Sequence, residues 1–233
     1  MAAPDEAQRY ALLRSLVAKL NDSHTAVYSP AQLRRRAEVL GAGVTWKIVH
    51  PGIGYLRMTA FPDNIDSLLH WAFEQLAVQP HLILDLRGNS GGYIDSVEAA
   101  AGALLPAGTL IATGVRRHSW FGAQRFLASG SAGVNYRGAV VVLVDGATQS
   151  GGETLAQALQ YYHRAVIVGS RTAGKVLGVD AEERLEDGGL LRVATLDIIA
   201  PGGSRLERKG VAPDVIVNPG GAQMRTALAL SQR

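Results

Sequence analysis

The sequence predicts an α/β fold in which a mainly parallel, buried sheet is flanked by helices and preceded by a small helical segment. Apolar runs at 82–86 and Ala139–Val144 contain almost no polar residue, as is typical of strands that are covered on both faces of a parallel sheet. Amphipathic helix patterns, such as Ile65–Leu76, alternate with these runs, which is the order of βαβ units. With 233 residues, 47% of them hydrophobic and 18% charged, the chain can form one large folded domain.

The elements follow in order from an N-terminal helix predicted over 5–20, where Tyr10, Leu13, Val17 and Leu20 recur at three- and four-residue steps. A shorter helix is predicted over 32–40 and ends at Gly41. Strands are then predicted at 44–49, Ile53–Met58, 82–86, 110–115, Ala139–Val144, 165–168, 190–200 and 215–217. Helices are predicted at Ile65–Leu76, 93–105, 153–162 and 222–230. We therefore divide the chain into an N-terminal helical segment, 1–43, and an α/β core, 44–233.

Composition and charge argue against several classes of protein. The apolar runs are far shorter than the roughly 18 residues that a membrane span requires, and without cysteine the chain has neither disulfides nor a thiolate metal site. A formal net charge of +3, with basic residues scattered except at Arg34, Arg35 and Arg36, does not indicate a nucleic-acid surface. The first residues lack the basic start and apolar stretch of a secretion signal. The sequence indicates no cofactor and leaves the oligomeric state open.

Three unusual loops are expected to meet at one edge of the sheet, because ligands of open parallel sheets gather outside the carboxyl ends of the strands. The loops span 87–92, 145–150 and 169–175. The first belongs to DLRGNSGG at 85–92, whose glycines let backbone amides approach a ligand. On the residues alone, this loop is either a site for an anion or oxyanion or a tight turn between a strand and a helix.

The second and third loops contain a serine and a lysine that are candidates for catalysis. Ser150 precedes a predicted helix, where a serine is usually an N-cap but where its hydroxyl also lies near amide donors. Lys175 follows 25 residues later, at the end of the next strand and loop. A buried lysine can lose its proton and act as a base toward a serine, although a loop lysine is normally solvated. The combination predicts a serine nucleophile with a lysine base.

Segments along most of the chain resemble, in order, motifs of the carboxyl-terminal processing, or tail-specific, protease family of serine peptidases. They are LNDSHT at 20–25, DLRGNSGG at 85–92, a Ser-x-x-Glu that opens a helix at Ser150, T-x-G-K ending at Lys175, and RLERKGVAPDVIV at 205–217. The resemblance implies a fold related to the ClpP and crotonase group. It also implies hydrolysis of peptide bonds through an acyl-enzyme, with a peptide or unfolded protein as substrate, and a periplasmic or extracellular location.

The resemblance further implies a role for individual residues. Ser150 matches the nucleophile and Lys175 the general base. Gly92, with Gly91 as a further candidate, matches the glycine loop whose amide faces the oxyanion, and Gly151 matches the second donor. Glycines suit these positions because losing one such donor typically costs about a hundredfold to a thousandfold in rate.

Departures from the family pattern raise a second candidate for the base. The lysine branch of the family usually has a glutamine four residues after the lysine, and this chain has Val179. A tricorn-like branch uses a histidine that is preceded by a serine and assisted by a glutamate, and Ser23, His24 and Glu207 match those positions. Imidazole titrates near neutral pH and can deprotonate a serine. We favour Lys175 as the base, with His24 as the alternative; a purely structural role for His24, attaching the first helix to the core, is equally open.

The PDZ domain that family members commonly carry has no room in this chain. Only 27 residues, 26–52, separate the LNDSHT motif from the first core strand, whereas a domain takes at least about 50. Arg34, Arg35 and Arg36 lie in this stretch. They either attract the carboxyl end of a substrate or form an ordinary solvated helix face.

The residues and the resemblance together predict a metal-independent serine endopeptidase that cleaves extended peptide segments, including segments near substrate carboxyl ends. An ester or other acyl hydrolase with the same nucleophile is an alternative, because an acyl-enzyme with an oxyanion hole does not require an amide. A non-catalytic ligand-binding module, similar to the interphotoreceptor retinoid-binding protein, is another. The presence of Ser150, Lys175 and both glycine loops argues against that module.

Overall fold

The computed structural model of the chain describes residues 5–41, 43–116, 122–218 and 221–232. The helices are Glu6–Val17 (α1), Pro30–Gly41 (α2), Ile65–Leu76 (α3), Ile94–Gly102 (α4), Gly151–Tyr161 (α5) and Gly221–Leu230 (α6). The strands are Ala26–Tyr28 (β1), Val44–His50 (β2), Ile53–Met58 (β3), His81–Asp85 (β4), Leu110–Arg116 (β5), Gln124–Leu127 (β6), Ala139–Val144 (β7), Ala165–Gly169 (β8), Leu177–Arg184 (β9), Leu190–Ile199 (β10) and Val215–Ile216 (β11). Of the predicted N-terminal segment 1–43, residues 1–4 and 42 lie outside the described residues. Within the described ranges, no helix is long and apolar enough to cross a membrane.

A six-stranded sheet in the order β11-β8-β7-β4-β3-β2 forms the centre of the fold. Its strands β3, β4, β7, β8 and β11 run parallel, and β2 is antiparallel at one edge. Residues of the apolar runs alternate between the two faces of this sheet. Leu82, Leu84 and Val142 belong to the core with α3, α4 and α5, whereas Ile83 and Val141 pack with α6. The prediction of a mainly parallel sheet that is flanked by helices is therefore confirmed.

Strands β1, β10, β5 and β6 form a second, antiparallel sheet, and β9 also pairs with β10. Three of these strands, β1, β6 and β9, are absent from the sequence prediction. Five of the eight residues of β9 are exposed, so the strand lacks the apolar alternation that indicates a half-buried strand. It forms because it pairs with the long β10 across a tight turn, in which the Leu185 N–H donates to the Gly189 carbonyl at 3.0 Å.

Helix α1 is attached to the β9–β10 turn by one buried residue. Of its predicted apolar stripe, Tyr10 is buried, Leu13 and Val17 are half-buried, and Leu20 is 58% exposed. The Tyr10 hydroxyl donates to Asp187 Oδ1 in the turn at 2.8 Å. Because α1 leads into the LNDSHT segment, this attachment also determines where that segment lies.

We expect Tyr10→Phe to lower the free energy of unfolding by about 1–2 kcal/mol, because it removes a hydrogen bond to a carboxylate and keeps the packing of the ring. Urea unfolding followed by circular dichroism measures the change. Tyr161→Phe is the matched control, since Tyr161 is 46% exposed and its hydroxyl donates to none of the residues that the structure describes. Equal stability of the Tyr10→Phe variant and the wild type would show that the hydrogen bond does not hold α1.

Candidate active site

Ser150 lies at the turn between β7 and α5, with φ 55° and ψ −121°. A positive φ is uncommon for a residue with a side chain and persists only where the surroundings impose it. Here the Ser150 N–H donates to the Lys175 carbonyl at 2.8 Å and to Glu153 Oε2 at 3.2 Å. This turn presents the half-buried serine to the main cavity of the protein, at the N-terminus of α5.

Glu153 connects the serine turn to the following loop from inside the protein. Its carboxylate is fully buried. Besides the Ser150 N–H, it accepts hydrogen bonds from the Thr172 hydroxyl, from the Gly174 N–H at 2.8 Å and from the Lys175 N–H at 2.9 Å. Burial raises the pKa of Glu153, and these donors oppose the rise. A buried acceptor with four donors makes the relative position of the two loops well defined.

Two backbone amides near Ser150 are available to a ligand. The N–H groups of Gly92 and Gly151 donate to no acceptor in the described ranges, and both residues line the cavity. Gly151 is the first residue of α5, where a helix leaves its N–H groups unpaired. Gly91 differs, because its N–H donates to Asn89 Oδ1 at 2.8 Å. The geometry therefore favours the Gly92 amide, rather than the Gly91 amide, as the group that binds a ligand together with the Gly151 amide.

The DLRGNSGG loop has glycine where a side chain would collide with its neighbours. The Phe61 N–H donates to the Gly91 carbonyl and the Tyr93 N–H donates to the Phe61 carbonyl, so the loop pairs with residue 61 on one side only. A Cβ at Gly92 would lie 2.1 Å from the Phe61 carbonyl oxygen, and one at Gly91 would lie 2.6 Å from Ser150 Cβ. The close approach of this loop to the serine turn thus requires glycine at both positions.

His24, Ser23 and Glu207 form a hydrogen-bonded series beside the same cavity. The Ser23 hydroxyl donates to Glu207 Oε2 at 2.9 Å and lies 2.7 Å from His24 Nδ1. A hydroxyl has one proton, so Ser23 accepts from the Nδ1–H of His24 and leaves Nε2 with its lone pair. Burial lowers the pKa of His24, although the Glu207 charge opposes this. The histidine is therefore a neutral imidazole near pH 7, and its Nε2, which does not contact Ser23, can accept a proton.

The segment that carries His24 is held by its own turn. Asp22 Oδ1 accepts from the N–H groups of His24 and Thr25 at 2.9 and 2.6 Å, and Asp22 Oδ2 accepts from the Thr25 hydroxyl. Thr25 Oγ1 in turn accepts from the Ala194 N–H of β10 at 3.0 Å. On the other side, Glu207 Oε2 accepts from the Val176 N–H at 2.8 Å. These contacts attach the histidine to β10 and, through Glu207, to the residue that follows Lys175.

Lys175 takes part in the site through its backbone. Its N–H and carbonyl are both bonded, to Glu153 and Ser150 respectively. Its side chain is exposed and does not line the cavity that contains Ser150 and His24. Within the described part of the chain, its ammonium group makes no hydrogen bond or ion pair.

The cavity has a volume of about 520 Å³ and three kinds of wall. Ser150, His24 and the two glycines with free amides are among the residues that line it. Apolar side chains form a second part, and they are Val97, Phe126, Val176, Leu177, Leu196 and Ile198. Charged side chains from α2, β9 and β10 line the third part. The cavity therefore combines an apolar surface with a serine hydroxyl, an imidazole and two free amides, which are the kinds of group that acyl transfer uses.

A comparison with protein-family models matches residues 52–217 to Peptidase family S41. The chain belongs to this family. A carboxyl-terminal-processing protease of Synechocystis sp. is 34% identical over 167 residues, which are 71% of this chain and 38% of that protein. A carboxy-terminal-processing protease of Bartonella bacilliformis is 30% identical over 175 residues, or 72% of this chain and 39% of that protein. The chain thus spans about two fifths of the length of these S41 relatives.

The fold is also that of solved S41 structures. The structure of the photosystem II D1 C-terminal processing protease aligns with a TM-score of 0.66 at 22% identity, covering 94% of this chain and 84% of that one. The S41 motifs seen in the sequence occupy the walls of the cavity: the Ser-x-x-Glu turn, the glycine loop and LNDSHT. The resemblance to tail-specific proteases that the sequence predicts is confirmed by the family match.

The structure brings together only some of the residues that the sequence singles out. Ser150, Gly92, Gly151, Ser23 and His24 line one cavity. Glu207 is hydrogen-bonded to Ser23. The Gly91 N–H is bonded to Asn89, and the Lys175 side chain is exposed outside the cavity. The prediction assigned no role to Glu153, although its position three residues after Ser150 is that of a capping partner. It also assigned none to Asn89, which only the folded loop connects to Gly91.

Proposed function

We propose that this chain is the catalytic unit of a serine endopeptidase, with Ser150 as nucleophile, His24 as general base and the Gly92 and Gly151 amides as oxyanion donors. The observation that carries the proposal is the Glu207–Ser23–His24 series on the wall of the cavity that contains Ser150. It provides a neutral imidazole with a free Nε2 in the cavity that also contains a serine in a strained turn. Membership of family S41 supports peptide bonds as the substrate, rather than other esters or a purely binding role.

The reaction proceeds by acyl transfer. Ser150 Oγ attacks the scissile carbonyl carbon while its proton passes to His24 Nε2, and the carbonyl oxygen becomes an anion between the two amides. The C–N bond breaks as His24 gives that proton to the leaving amine. Water then attacks the acyl carbon while one of its protons passes to His24 Nε2. The bond to Ser150 Oγ breaks as His24 returns that proton to the serine.

Several features support His24 over Lys175 in this role. Glu207 and Ser23 hold the Nδ1–H tautomer, as the third member of a triad does for its histidine. His24 and Ser150 share no direct hydrogen bond in the described residues, and such contacts often form only when the substrate is bound. Lys175, favoured by the sequence, has its ammonium in solvent. The names of the relatives, carboxyl-terminal-processing proteases, lead us to propose extended segments near carboxyl ends as substrates.

Labelling with a fluorophosphonate tests this proposal. We expect one phosphonyl group per chain, located on Ser150 by peptide mass spectrometry, and a parallel loss of cleavage of a disordered protein such as casein. The variant Ser90→Ala is the matched control, because Ser90 lines the same cavity and should leave labelling unchanged. If Ser150→Ala were labelled and cleaved casein at the wild-type rate, the proposal would be wrong.

A further inference from the structure

The charged wall of the cavity contains one cation that has no anionic partner among the residues that the structure describes. The charged side chains of this wall are Arg36, Asp180, Glu182 and Arg192. Asp180 pairs with the Arg116 guanidinium, and Glu182 pairs with Arg192 at 2.6 Å. Arg36 makes no ion pair with any residue in the described ranges. A guanidinium that faces a cavity without a partner is a site for an anionic group of a ligand.

Arg36 differs in this respect from its neighbours in α2. Arg34 and Arg35 are exposed and do not line the cavity, whereas Arg36 is half-buried and does. Its guanidinium carbon lies 5.6 Å from the centre of the Tyr28 ring. This cation–π contact supports one part of the guanidinium and leaves N–H donors for a carboxylate, which can accept two of them. The three arginines therefore do not act as one charge cluster, and only Arg36 faces the site.

The position of Arg36 relative to the catalytic residues follows from β1. Tyr28 ends β1 four residues after His24, which itself lies in a bend, so the two residues are at most roughly 13 Å apart at about 3.3 Å per residue. An extended peptide covers that distance with about four residues. The charge of Arg36 also reaches His24, since it contributes to lowering the pKa of the imidazole. Arg36 thus lies within a few substrate residues of the bond that Ser150 attacks.

We propose that Arg36 binds a substrate carboxylate about four residues beyond the scissile bond, and so selects where the chain is cut. The inference rests on the proposed peptidase function and adds a recognition site to it. The carboxylate is either the free carboxyl end of the substrate or an acidic side chain at that position. In the first case the enzyme removes a short peptide from a free carboxyl end.

Peptides with a single cleavage site test this proposal and distinguish the two sources of the carboxylate. One peptide ends in a free carboxylate four residues after the scissile bond, the second has the same sequence with a carboxyl-terminal amide, and the third is the amide with glutamate as its last residue. For the wild type, we expect kcat/KM to be about 10- to 100-fold higher for the free acid than for the first amide, mainly through KM, as for one charged hydrogen-bonded pair. If the glutamate peptide regains the kcat/KM of the free acid, Arg36 also binds acidic side chains. If it is cleaved no faster than the first amide, the site is restricted to carboxyl ends.

Substitutions in α2 complete the experiment. At an alkaline pH, where His24 is neutral with or without the Arg36 charge, Arg36→Gln is expected to lose the preference for the free acid while it cleaves the amidated peptide at the wild-type rate. Arg36→Lys is expected to keep part of the preference. Arg35→Gln removes the same charge from an exposed position and should keep all of it. The proposal is overturned if Arg36→Gln retains the full preference, or if it loses activity on acid and amide alike. Because the amide is cleaved through Ser150 in every variant, failure of the peptidase function itself would appear separately, as no cleavage by the wild type.

Discussion

Replacing His24 by alanine is expected to lower kcat/KM by about 10³- to 10⁴-fold, whereas Lys175→Ala should change it by less than about threefold. The imidazole has the only free basic nitrogen that the described part of the cavity offers to the Ser150 proton. The Lys175 ammonium is in solvent, and alanine keeps the N–H and carbonyl with which that residue holds the serine turn. Steady-state kinetics on an amidated peptide, with folding checked by circular dichroism, measure both values.

The matched control for His24 is His70→Ala, because the His70 side chain is 59% exposed on α3 and, among the residues that the structure describes, interacts only with Glu74 and the adjacent Trp71 ring. Wild-type activity of His24→Ala together with a large loss in Lys175→Ala would transfer the role of base to the lysine. The acid limb of kcat/KM adds a second readout. Burial lowers the pKa of His24 and the Glu207 charge raises it, so Glu207→Gln should shift that limb to lower pH as well as reduce the rate.

The part of the fold that depends on continuous apolar runs could be predicted from the sequence. The β4 and β7 runs are buried on both faces, and only a parallel sheet between helices satisfies that pattern. Strand β9 could not be predicted in this way, because most of its residues face solvent and its pairing with β10 supplies the reason for the strand. The apolar stripe predicted over 5–20 is fully buried only at Tyr10, under the turn of the β9–β10 hairpin, is half-buried at Leu13 and Val17, and is exposed at Leu20.

For the candidate site, local motifs indicated which loop each residue lies in better than they indicated where its side chain points. The position of Ser150 immediately before a helix could be predicted from the residues around it. The hydrogen bond between Ser23 and Glu207 joins residues 184 positions apart, so only the resemblance to a family could associate them. Lys175 is in the expected loop, but its backbone rather than its ammonium group contacts the serine turn, and no spacing in a sequence distinguishes these two outcomes.

The substitution Glu153→Gln is expected to lower the free energy of unfolding by about 3–5 kcal/mol and kcat/KM by about 100-fold. The carboxylate is fully buried and has only donors around it. A glutamine amide must direct its NH₂ group either at the Gly174 N–H or at the Lys175 and Ser150 N–H groups, so that donors face donors in a site without water access. The loss of contact shifts the Ser150 turn relative to the oxyanion amides, and about 1 Å of misplacement can cost a hundredfold in rate.

Urea unfolding and steady-state kinetics at a temperature where the variant is folded separate these two effects. Glu74→Gln is the matched control, because the Glu74 side chain is 53% exposed and lies 3.7 Å from the Nε2 of the exposed His70 side chain. The same chemical change there should alter stability by less than about 0.5 kcal/mol and leave the rate as it is. If the Glu153 variant were equally tolerant, the four hydrogen bonds could not be what holds Ser150 in its positive-φ turn. In that case the packing of Val97 and Phe61 around Gly151, where a Cβ would lie 2.6 and 3.1 Å from their side chains, would have to impose the turn.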